Sequence, residues 1–155
     1  MGEILVRLHE EAPHGLSIAG LGSCVAVFLY ETRGRAGGLA HILLPEPGNR
    51  SPLTCPGRFA PTAVAGLIDE LLKLGARRAD LRAKVAGGAR MFSGAAPASA
   101  PLGDRNARAA IEALRVEAIR IEGSDMGGTH GRTLLADIAT GAVRITTLRK
   151  VSRLI

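Results

Sequence analysis

Aromatic side chains are scarce in this 155-residue chain, which has three Phe, one Tyr and no Trp. Its core must therefore come from Val, Ile, Leu and Ala. A reader of single-stranded nucleic acid that stacks bases on aromatic platforms is hard to build from such a composition. Cysteine is scarcer still, at Cys24 and Cys55 alone. Two cysteines make no disulfide scaffold, and there is neither a Cys-x-x-Cys pair nor a Cys/His cluster with structural-zinc spacing. No apolar run approaches the roughly 20 residues of a membrane span. The opening segment Met1–Arg7 alternates apolar with charged residues and lacks the apolar centre of a signal peptide. The expectation is a cytoplasmic protein with reduced thiols and no membrane insertion.

What is present suits a globular chain: 46% of residues are hydrophobic and 22% charged. Length, the lack of a visible linker and the lack of an internal repeat give one domain over residues 1–155. The 20 Lys and Arg against 14 Asp and Glu leave a net charge of +6. These cations are dispersed (Arg33, Arg35, Arg77, Arg78, Arg82, Lys84, Arg144, Arg149, Lys150, Arg153) and read as a solvated surface. A basic patch, if formed, suits an acidic protein partner at least as well as nucleic acid, and no nucleic-acid partner is expected.

Residues 3–9 read as a strand with Ile4, Val6 and Leu8 on one face. Cys24–Tyr30 is apolar and β-prone, and Leu39–Leu44 returns from the glycine-rich turn at 31–38 as the second arm of a hairpin. Proline and glycine make 45–56 a loop. A helix is expected from Pro61 to Leu74, with Val64, Leu67, Ile68, Leu71 and Leu72 inward and Gly75 as its stop. A second helix is expected from Asp104, as N-cap, to Leu114, burying Ala107, Ala110, Ile111 and Leu114. Leu81–Ala86 and Ala118–Glu122 add strands, and Leu134–Ala139 with Ala142–Leu148 forms a terminal hairpin about Thr140-Gly141. Seven strands, mostly in hairpins, and two helices give an α+β fold.

The segment richest in chemistry is Gly20-Leu21-Gly22-Ser23-Cys24. Glycines just before a cysteine permit a tight turn whose backbone N–H groups converge on a developing oxyanion, as acyl transfer requires. The competing reading makes Cys24 a small buried hydrophobe at the start of a core strand. If 24–30 and 37–43 pair, Cys24 lies near the open end of the ladder beside His41. A Cys–His contact there would raise the thiolate fraction and supply a proton carrier. His41 also reads as a core histidine, and both readings stay open. His9, His14 and His130 read as surface residues. Gly87-Gly88 and Gly127-Gly128 read first as tight turns, and Cys55, followed by Pro56, as an incidental thiol. Nucleotide-binding glycine motifs are absent, since Gly20-x-Gly22 lacks the third glycine and no Gly-Lys-Ser/Thr occurs.

Taken together, these segments resemble a family. Gly20-Leu21-Gly22-Ser23-Cys24-Val25-Ala26-Val27, with His41 seventeen residues after the cysteine in Gly38–Pro45, is similar to the chemoreceptor glutamine deamidases, the CheD family. The likeness continues through Ala86–Phe92, Gly103-Asp104-Arg105-Asn106, Asp125-Met126-Gly127-Gly128 and Gly131-Arg132-Thr133. The resemblance implies a cytoplasmic amidohydrolase of bacterial chemotaxis that converts glutamines on receptor signalling helices to glutamates, releasing ammonia. It implies Cys24 as nucleophile and His41 as acid and base, with Gly22, Ser23, Gly87 and Gly88 around the oxyanion or substrate. It implies no metal or organic cofactor. The implied fold is a layered α/β/β arrangement related to the catalytic domain of the cytotoxic necrotizing factor toxins. The implied partners are methyl-accepting chemoreceptor cytoplasmic helices and a CheC-type phosphatase. One position departs: the family's third catalytic member is a threonine six residues before the cysteine, and here that residue is Ile18, preceded by Ser17. Ser17 is the candidate substitute, although a one-residue slip in a strand reverses its faces. The alternative function is a binding module, weak in catalysis, that engages the phosphatase or the receptor.

Overall fold

The computed structural model describes residues 3–12, 15–48, 56–91, 100–147 and 151–155. His14, Cys55, Phe92 and the expected strand end at Leu148 fall outside the described residues. The described chain is mixed α+β, with two α-helices and two sheets.

The first sheet holds β1 (Ile4–Leu8), β3 (Val25–Glu31), β4 (Ala36–Ile42), β5 (Leu81–Gly87) and β6 (Arg120–Met126), in the order β1-β4-β3-β5-β6. The second holds β2 (Leu16–Leu21), β7 (Arg132–Ala136), β8 (Val143–Thr147) and β9 (Ser152–Leu154), in the order β2-β7-β8-β9. Helices α1 (Ala60–Lys73) and α2 (Leu102–Val116) cover one face of the first sheet. The second sheet covers the other. Val25, Val27 and Leu29 meet Val64, Leu67 and Leu114 on the helix side. Ala26, Phe28 and Tyr30 meet Leu134, Ala136 and Ile145 between the sheets. The central strand β3 is thus buried on both faces at every residue, which explains its unbroken apolar sequence.

Several expectations need correction. Strands β2 and β9 escape the hydrophobic pattern. In β2 only Leu16, Ile18 and Leu21 are large and apolar, and the register shifts between Ile18 and Leu21, where Gly20 takes a φ of +72°. A bulge of this kind interrupts the alternation that marks a strand. Strand β9 has three exposed residues on an edge and no inward face to advertise. The segment β5–α2–β6 closes a parallel pair, so one crossover connection sits among the hairpins. Helix α2 begins at Leu102 behind Pro101, not after an Asp104 cap; Asp104 lies inside its first turn, where a carboxylate favours the positive helix end. Its buried face is Gly103, Asn106, Ala110, Ala113 and Leu114, while Ile111 is 43% exposed.

Candidate active site

Cys24 ends the turn that joins β2 to β3 and packs, half-buried, against the inter-sheet cluster. Strands β3 and β4 pair as an antiparallel hairpin with Val25 opposite Ile42 and Ala26 opposite His41. Ala40 and Ile42 point to the helices, so alternation turns His41 to the opposite face, the one Cys24 shares. Cys24 and His41 are therefore diagonal neighbours, a relation in which β-carbons lie roughly 7 Å apart and long side chains meet.

The turn is held by its carbonyls. Ala89 N–H donates to the Gly22 oxygen at 2.8 Å and Gly88 N–H to the Cys24 oxygen at 2.8 Å. Between them, the Asn106 side-chain amide donates to the Ser23 oxygen at 2.9 Å. In a trans peptide the N–H points opposite the carbonyl. The N–H groups of Ser23 and Cys24 are thereby directed away from the loop and helix that anchor the turn. Successive N–H groups presented in this way form an anion-binding concavity. Gly87 and Gly88 belong to this support, against the backbone of Cys24 itself.

The support is braced in turn. Gly127 N–H donates to the Gly87 oxygen and Arg90 N–H to the Gly128 oxygen, each at 2.8 Å. Buried Arg132 donates to the Gly127 carbonyl and to the Asp125 side chain, which also takes an ion pair from Arg153 at 2.6 Å. Arg90 pairs with Asp104 of α2 at 2.8 Å.

Beside the turn, a groove of about 290 Å³ is lined by Gly20, Gly22, Met91, Thr133 and Thr146. Met91 is 44% exposed and lies against Gly22. Neither this groove nor a separate cavity of about 340 Å³ lined by Pro45, Ala109 and Val116 is lined by Cys24 or His41.

Burial sets the electrostatics of the pair. It pushes the Cys24 thiol above its ordinary pKa and the His41 imidazole below its own. Both shifts favour the uncharged forms and work against the thiolate that a Cys–His contact would enrich. His41 Nε2 is buried and has no hydrogen-bond partner among the described residues. Ile18, half-buried, packs on the same inter-sheet cluster as Cys24. Ser17 is exposed and pairs with exposed Leu135, so it stands on the outer face of the second sheet, away from Cys24.

Sequence reasoning assigned no role to Asn106. The available signal was a lone amide on the buried stripe of an amphipathic helix, which the stripe drawn through Ala107 and Ile111 concealed.

A thiol and an imidazole on one face of a hairpin, behind a glycine turn with outward N–H groups, define a candidate cysteine-hydrolase site in an α+β protein. The chain belongs to the CheD family: the family model described as CheD chemotactic sensory transduction matches residues 43–147, a stretch that begins just beyond His41. A protein of Desulfitobacterium hafniense named probable chemoreceptor glutamine deamidase CheD is 41% identical over 146 residues, covering 94% of this chain and 91% of that relative. Proteins with the same name from Desulforamulus reducens and Methanococcus vannielii are 43% and 45% identical. They cover 88% and 81% of this chain, and 83% and 80% of their own lengths.

Proposed function

We propose that this protein deamidates glutamine side chains on the cytoplasmic helices of chemoreceptors, with Cys24 as nucleophile and His41 as acid and base. The observation that carries this reading is the shared face of Cys24 and His41 behind a turn whose N–H groups point outward. The relatives' names supply the substrate class.

The chemistry runs from the neutral pair. His41 takes the thiol proton as sulfur attacks the glutamine amide carbon, and the oxyanion settles against the N–H groups of Ser23 and Cys24. The carbonyl re-forms, the C–N bond breaks, and His41 returns the proton to nitrogen, which leaves as ammonia. Water then gives a proton to His41 and attacks the thioester; the C–S bond breaks, leaving glutamate, and the thiol recovers its proton. Gly87 and Gly88 serve by holding the turn. No step calls for a metal or organic cofactor.

The same reading places the protein in the cytoplasm as one domain and relates its helix–sheet–sheet layering to the cytotoxic necrotizing factor toxins. Among the described residues, no helix is long and apolar enough to cross a membrane. A CheC-type phosphatase is the proposed protein partner. The second reading, a binding module with weak chemistry, is favoured by one observation: His41 Nε2 lacks a partner among the described residues while Ile18 occupies the position of the family threonine. Ammonia release from purified receptor signalling domain tests the proposal. Wild type should release it and Cys24→Ala should not; equal release by both would end the proposal.

A further inference from the structure

Asn106 is wholly buried on the inward stripe of α2, among Gly103, Ala110, Ala113 and Leu114. An amide in such a place costs free energy unless it is hydrogen-bonded. Its Nδ2 donates twice, to the Ser23 oxygen at 2.9 Å and to the Leu43 oxygen at 3.0 Å. The first acceptor immediately precedes Cys24, and the second lies two residues beyond His41. Its Oδ1, also buried, has no partner among the described residues. An apolar side chain would fill the same space without stranding that oxygen, so filling space does not account for the amide.

We infer that Asn106 is a positioning residue that ties the segment bearing the nucleophile to the segment bearing the histidine. One planar group spans the two chain segments and fixes their separation. By holding the Ser23 carbonyl it also turns the Cys24 N–H to the other side of that peptide, where the oxyanion forms. The first turn of α2 is itself anchored: a β-carbon on Gly103 would sit 2.4 Å from the Ala89 oxygen, so the helix and the supporting loop are in backbone contact. The donor is thus presented from a rigid element. Because the effect is on alignment in the transition state, it belongs in kcat and not in KM.

This inference rests on the deamidase reading, and its test separates the two. Steady-state kinetics on receptor signalling domain would compare wild type with Asn106→Ala, Asn106→Asp and Leu114→Ala, each below its melting temperature. Spectra of cysteine-labelled (15N) protein in a Cys55→Ser background would follow the Cys24 amide without substrate. Asn106→Ala should lower kcat about a hundredfold with KM within about twofold. Leu114→Ala, on the same helix, should lose thermal stability and keep kcat. The isosteric Asn106→Asp gives the same readout in a chain that keeps the side chain's volume. It sets a carboxylate against two carbonyl oxygens, so its kcat relative to wild type should be low at neutral pH and recover in part as the carboxyl regains a proton, whose single O–H serves only one of them. The Cys24 resonance should move in both variants. Wild-type kcat in either Asn106 variant, or a raised KM with kcat intact, overturns the role. If wild type releases no ammonia but the Cys24 resonance still moves, the deamidase reading fails and the hold of Asn106 on the turn stands. An unmoved resonance removes that hold.

Discussion

Gly87 stands so close to Cys24 that a β-carbon on it would lie 2.2 Å from the Cys24 carbonyl oxygen, and its φ is +118°. The contact explains why glycine occupies the end of β5. Gly87→Ala should cost about 1–3 kcal/mol from backbone strain alone, with a further cost as the Cys24 turn is pushed outward. Thermal melting checks the first effect. Ammonia release should fall more steeply than stability, because pushing the Cys24 carbonyl outward shifts the turn that presents the Ser23 and Cys24 N–H groups. A Gly87→Ala protein with wild-type melting and turnover would show that the close approach has no consequence.

The neutral resting pair has a pH signature. Burial holds the thiol of Cys24 above its ordinary value of 9.0, and holds His41 below 6.5. In a Cys55→Ser background, the rate of Cys24 alkylation should therefore rise with an apparent pKa above 9. Deamidation should lose activity on the acid side only below about pH 6.5, as His41 gains the proton that stops it acting as a base. The folded histidine binds its proton less readily than the unfolded one, so its protonation also lowers stability as pH falls below 6.5. An alkylation pKa near neutrality would instead mean a resting thiolate–imidazolium pair.

Ile18 and the unpartnered His41 Nε2 make a second pair of linked observations. Ile18→Thr places a hydroxyl against the inter-sheet cluster on which Cys24 also packs. Its loss of apolar packing should cost about 1 kcal/mol, while an oriented imidazole should raise turnover about tenfold. A gain of that size identifies a wild-type enzyme limited by the orientation of its base. Unchanged turnover with the expected loss of stability would show that His41 is already oriented by its strand. Ser17→Ala, on the outer face, should leave turnover unchanged.

The sequence carried the pieces whose physics is local. The unbroken apolar run at β3, the helical stripe from Val64 to Leu71 and the turn at Gly34 are each dictated by neighbours in the chain, and the β3–β4 register follows from the hairpin. Cys24 and His41 could be placed together for that reason. Asn106 could not, because its two acceptors lie 83 and 63 residues away, and such pairings depend on the tertiary fold. The shifts of Cys24 and His41 were illegible for a related reason: burial, not the neighbouring partner, sets their direction. Strand β2 was hidden by its bulge, and with it the facts that Ile18 faces inward and Ser17 outward.

The most direct test of the central claim is the intact mass of a purified receptor signalling domain incubated with wild-type protein and with Cys24→Ala, followed by peptide fragmentation. Wild type should add the mass difference between an acid and an amide at defined glutamines, and Cys24→Ala should leave the receptor unchanged. An unchanged receptor that nevertheless binds wild-type protein would contradict that claim and leave a binding module in its place.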